Sequence, residues 1–82
     1  MDVTKRIQNE KEFENWTELP GEGRKYWFDV TGRNGGKARY VKEVDRNEKT
    51  IVFRQEIFDQ HGTMIEIHEK FPVDKGHKKI IP

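Results

Sequence analysis

Eighty-two residues carrying 16 Lys plus Arg against 15 Asp plus Glu, with no cysteine, are expected to form one small, nearly neutral domain over residues 1–82. A repeat solenoid, a disulfide framework, thiol catalysis and a Cys-based zinc site are excluded at once. A formal charge of +1 also speaks against a surface that is a nucleic-acid footprint throughout, which would be strongly basic.

Residues 1–10 carry charges where a secretory leader needs an apolar run, and no apolar stretch exceeds four residues. Neither a targeting segment nor a membrane span is expected, and the predicted setting is cytoplasmic. Further along, Phe13, Trp16 and Leu19 stand three residues apart among charged neighbours, which predicts a short helix near residues 11–19. Pro20 and Gly21 stop it, because proline cannot continue the hydrogen-bond ladder and glycine relaxes into a loop.

From Lys25 onward apolar residues alternate with polar ones: Tyr26, Phe28 and Val30, then Ala38, Tyr40 and Val44, then Ile51, Phe53 and Ile57, then Ile65, Ile67 and Phe71. Period two with β-branched and aromatic residues predicts strands near 24–31, 37–45, 50–58 and 63–71. The separators at 32–36, 46–49 and 59–62 are short enough for hairpins. Pro72 ends the last strand and leaves residues 72–82 as a tail, free to double back or to stay loose. The predicted class is α+β: a four-stranded antiparallel meander with one short N-terminal helix on one face. Phe, Ile, Leu and Val make up 19 of the 82 residues, just above the roughly 20% below which a chain stays unfolded, so the core should be thin. Phe13 and Trp16 are expected to cover Phe28, Tyr40, Phe53, Ile57, Ile65 and Ile67.

Turn geometry gives a register. Thr31 opposite Lys37 sets Asp29 beside Arg39 and Trp27 beside Val41; Val44 opposite Ile51 sets Arg39 beside Glu56 and Val41 beside Arg54; Ile57 opposite Ile65 sets Glu56 beside Glu66 and Arg54 beside His68. One polar face then gathers Arg39, Arg54, Glu56, Glu66, His68 and Lys70. That set is what RNA cleavage by 2′-OH attack requires, with Glu56 and His68 as acid and base and Arg39 and Arg54 on the phosphate. The competing reading is a solvated sheet face whose opposite charges stabilise neighbouring strands. Trp27 on that face would be a stacking platform for a base or an anchor for a protein, unless the loop at 20–24 or the tail folds over it. Trp27, Arg39, Arg54 and Lys70 are therefore the candidate binding residues.

His61, His68 and His77 fall in a turn, a strand and the tail with no ligand spacing, so no metal and no cofactor are expected. Residues 32–36 lack the Lys-Ser/Thr and the strand-to-helix context of a phosphate loop and read as a hairpin turn. Charge is uneven: Glu10, Glu12, Glu14, Glu18 and Glu22 make the helix region acidic, while Arg33, Lys37, Arg39 and Lys42, and later Lys75, Lys78 and Lys79, form basic blocks. Such blocks could meet phosphates or the chain's own acidic segment.

Residues 43–51 and 57–65 align at a spacing of fourteen: each has an apolar residue, Asp45 or Asp59, a turn, and then a strand. This resembles the hairpin grammar of YD-repeat proteins, in which an aromatic–Asp pair precedes a turn glycine and whose arrays often end in small toxin or accessory domains. The chain departs from that grammar at Val44, where the aromatic would stand, and at Glu48, where the glycine would. The resemblance implies a toxin-associated context and supplies no catalytic residue. The function expected from the sequence is a non-enzymatic binding or adaptor module with a protein partner, and the alternative is an RNA-cleaving or RNA-binding domain.

Overall fold

Asp2 opens the α-helix, its carboxylate accepting a hydrogen bond from the Lys5 amide at 3.0 Å and so satisfying one of the amides that a helix start leaves unpaired. In the computed structural model, which describes residues 1–80, helix α1 runs Val3–Phe13. It ends at Glu14, held at φ 69° with its amide on the Glu10 carbonyl. The helix therefore lies earlier than the predicted 11–19. Phe13 is its apolar contribution to the core, whereas Trp16 stands in an extended strand and Leu19 just beyond it. Asn9 is its other buried residue, so the apolar stripe is too thin to be read from periodicity.

Six strands follow: β1 Asn15–Glu18, β2 Arg24–Thr31, β3 Lys37–Val44, β4 Thr50–Phe58, β5 Met64–Phe71 and β6 His77–Lys79. They form one antiparallel sheet in chain order. The fold is α+β as expected, and the four predicted strands are β2 to β5, but the count is six. Both additions are short edge strands exposed along their whole length, so neither carries the alternation that marks a half-buried strand. The tail doubles back as β6, pairing His77 with His68; Ile81 and Pro82 lie outside the described residues.

Between α1 and the sheet lie Phe13, Tyr26 and Val44, with Phe28 and Phe53 packed around them. Phe28 and Tyr40 stack at 5.0 Å between ring centroids. Trp16 reaches this cluster from β1, 6.2 Å from the Tyr26 ring, rather than from the helix. Ile57 and Ile65 escape the helix and line an open groove of about 560 Å³ with Ala38 and the turns at 32–36 and 59–61. Ile67 pairs with Glu56 and so belongs to the opposite face.

A charged group fixes the helix. Glu48, in the turn between β3 and β4, has a side chain with no exposed surface. It accepts hydrogen bonds from Arg6 Nε at 2.8 Å, Asn9 Nδ2 at 3.1 Å and the Tyr26 hydroxyl at 2.9 Å. Burial pushes its carboxyl toward protonation, but the three donors outweigh burial and hold it below the usual glutamate range. Lys42 donates to the same Asn9 at 3.0 Å, which extends the clasp to β3.

Candidate functional site

Bulges decide which side chains meet. From β2 to β4 the predicted pairing holds over most of its length: Thr31 with Lys37, Asp29 with Arg39, Trp27 with Val41, Arg39 with Glu56, and Val41 with Arg54. It breaks at Glu43 and Val44, where a bulge leaves Val44 opposite Thr50 rather than Ile51. Between β4 and β5 a second irregularity makes Phe58 face Met64 and Ile57 face Glu66, so that Ile65 is an extra residue. One inserted residue flips every side chain beyond it to the other face.

The consequence reaches the proposed chemistry. Glu56 faces Ile67 rather than Glu66, and Arg54 faces Glu69 rather than His68. His68 pairs with Gln55, whose amide donates to the Tyr40 hydroxyl at 3.2 Å, which puts His68 on the helix side of the sheet. Lys70 lies there as well, its ammonium 5.4 Å from the Tyr40 ring and 5.8 Å from that of Phe53. The expected acid–base pair is thus split, with Glu56 on one face and His68 on the other. Of the candidate binding residues, Trp27, Arg39 and Arg54 share a face and Lys70 does not.

On the face away from the helix the charged groups answer one another. Arg39 grips Asp29 with two hydrogen bonds, 2.8 and 3.1 Å, and this holds the Asp29 carboxyl below its ordinary range. Arg54 donates to Glu43 at 2.6 Å and to Glu56 at 2.8 Å. Burial alone would favour neutral Arg54, yet bonding to the two carboxylates keeps it charged more firmly than in water. Glu56 is only 7% exposed, and the two guanidiniums direct their donors at carboxylates of the same face instead of outward at a phosphate.

Trp27 stands half-buried on this face, with Lys25 5.9 Å and Arg39 6.0 Å from its ring. Arg39 also lies 5.5 Å from the Phe58 ring, and Lys37 5.4 Å from it. The row Trp27, Arg39 and Phe58 therefore alternates ring, cation, ring across β2, β3 and β4. Val41 lies between Trp27 and Arg54 with no exposed surface. Among the described residues the α-helix lies on the other face and every strand lies in the sheet, so no helix or strand packs over this face; from the loop after β5, Lys75 reaches Glu69 at its edge, 2.9 Å away.

On the helix side, His68 Nε2 lies 2.6 Å from Asp74 Oδ1 and its ring centroid 4.4 Å from that of His77. The Gly76 amide and then His68 hold the Asp74 carboxyl low. This pairing ties β6 and the preceding loop to β5, which is a structural employment for the histidine. Among the described residues no three His, Asp or Glu side chains gather where a metal ion could be held, and no helix is long and apolar enough to cross a membrane. Sequence reasoning missed Phe58 as a member of the aromatic row; its signal was parity with Trp27 across β3. Comparison with protein-family models, with curated proteins and with solved structures returns no match.

Proposed function

We propose that this chain is a non-enzymatic binding module whose partner is a protein, engaged through the sheet face bearing Trp27, Arg39, Arg54 and Phe58. The observation that carries the reading is the face with no helix or strand packed over it, where a half-buried indole is set among ion pairs. Aromatic and arginine side chains held in place concentrate binding energy at protein interfaces. Self-neutralised arginines favour a polar protein surface over a phosphate backbone, which needs uncommitted cations. The placement of Glu56 and His68 on opposite faces supports this reading over RNA cleavage by this face. A cytoplasmic setting belongs to the same reading, since a chain without cysteine needs no oxidising compartment.

The resemblance to YD-repeat hairpins supports a toxin-associated or accessory context. What supports it is the identical bonding of the two turns: Asp45 and Asp59 each take two amides on one carboxylate oxygen, at 2.8 and 3.0 Å in both cases. The test has two arms. In the first, the wild-type chain and Trp27→Ala are immobilised and exposed to source-cell extract, and retained proteins are quantified; a defined protein kept by the wild type and lost by the variant is expected. In the second, a fluorogenic RNA substrate is incubated with wild type and His68→Ala, and equal background signals are expected. RNA turnover lost in the variant, or salt-dependent RNA binding with no retained protein, would overturn the reading.

A further inference from the structure

β2 is eight residues long but β1 covers only half of it, pairing Arg24 to Trp27. Beyond Trp27 the outer side of β2 has no neighbour among the described residues, because Glu14 at φ 69° turns the chain off the sheet edge into the helix. Which backbone groups are left open follows from the two flanking turns. The Leu19 amide bonds the Gly23 carbonyl across one turn, and the Gly32 amide bonds the Gly36 carbonyl across the other. Odd-numbered residues of β2 therefore direct N–H and C=O toward the β1 side, and even-numbered ones toward β3. The open groups are those of Asp29 and Thr31.

The other edge of the sheet is guarded. β6 is three residues long and carries Lys78 and Lys79, two devices that discourage a further strand. The free half of β2 is also short, at four residues, but it carries no lysine. It presents Val30, 46% exposed, between Asp29 and Thr31, and the one charge there, Asp29, is already held by Arg39 and Lys37.

We propose that a second copy of this chain adds to this edge, the two β2 strands pairing antiparallel about a two-fold axis at Val30. In that register Val30 meets Val30 of the second copy on the helix side of the sheet. Asp29 meets Thr31 of the second copy on the charged side, where the threonine hydroxyl can donate to the carboxylate. Asp29 and Thr31 are the residues whose amides and carbonyls are open, so each opposed pair exchanges two hydrogen bonds. Centring the axis one residue earlier would oppose Asp29 to Asp29 and drive Thr31 of one copy against β1 of the other. Centring it one residue later would draw Arg33, which begins the 3-10 turn after β2, into the ladder. Only in the Val30 register does each open residue face another open residue, and no like charges are opposed there. The interface is isologous and small, so assembly is driven by concentration.

Sedimentation velocity from micromolar to millimolar chain concentration, with backbone amide NMR over the same series, tests this. The expected result is a rise from one chain mass toward two, with the amides of Asp29 and Thr31 shifting and exchanging more slowly as concentration rises. Thr31→Pro deletes two symmetry-related N–H donors, and Val30→Lys puts like charges at the axis; each should weaken association by more than about tenfold, with far-UV circular dichroism unchanged. One chain mass at every concentration would overturn the proposal. So would a dimer in which neither substitution matters or the amides of Asp29 and Thr31 stay unmoved.

Discussion

The turn between β3 and β4 and the turn between β4 and β5 are built on the same bonds. In each, an Asp amide meets a carbonyl four residues on, the amide three residues on returns to the Asp carbonyl, and the Asp carboxylate takes two further amides. They differ in who occupies the left-handed position: Gly62 at φ 81° in the second, Glu48 at φ 63° in the first. Glycine takes that backbone without strain, and a side chain takes it at a cost. Glu48 bears the cost because its carboxylate collects Arg6, Asn9 and Tyr26. One turn is a clasp for the helix, while the other is a bare reversal beside the open groove.

The largest test of that contrast is Glu48→Ala, which keeps the strain and leaves Arg6 and Tyr26 facing a void. We predict a loss of about 3–5 kcal/mol, the scale of breaking one partner of a buried ion pair, read by urea denaturation. Glu48→Gly loses the same bonds but relaxes the backbone, so it should be roughly 1 kcal/mol less harmful. If both are near neutral, the clasp does not hold the helix.

Acid should expose the same group. A carboxyl held below its unfolded range stabilises the fold at pH values above that range, and the contribution is lost as pH falls through the folded value. Glu48→Gln, which cannot titrate, should therefore show a shallower loss of melting temperature toward acid than the wild type, though not a flat one. Asp29, held low mainly by Arg39, and Asp45, held low by the Lys49 and Asn47 amides, titrate in the same direction. An unchanged acid limb in the glutamine variant would assign the loss to those groups instead.

At the bare turn the expected effect is smaller. A Cβ at Gly62 would meet nothing within 4 Å, so Gly62→Ala should cost only the backbone penalty, about 1 kcal/mol. Smallest of all is Arg39→Ala, which removes a partly exposed ion pair with Asp29 and should change stability by roughly 0.2–1 kcal/mol. That modest effect would let Arg39→Ala report on partner binding without a folding defect, as thermal melts of the two proteins would show.

What the sequence disclosed follows period two. β2 to β5 were legible because Tyr26, Phe28, Tyr40, Phe53 and their neighbours alternate with polar residues, and so was the company of Asp29, Arg39, Glu56, Arg54 and Trp27. β1 and β6 were not, since a strand of three or four fully exposed residues leaves no apolar signature. The helix was misplaced because polar Arg6 and Asn9, rather than an apolar stripe, dock it. His68 and Lys70 went to the wrong face through bulges at β5, for which the residues around Ile65 give no local sign. Glu48 did leave a trace: it fills the place where the matching hairpin has Gly62.

The functional reading rests on the register between β4 and β5, and interstrand nuclear Overhauser contacts along that ladder measure it directly. Contacts pairing Gln55 with His68 and Glu56 with Ile67 are expected, leaving Glu56 and His68 on opposite sides of the sheet. Contacts pairing Arg54 with His68 and Glu56 with Glu66 would reunite the acid–base groups with Arg39 and contradict the account.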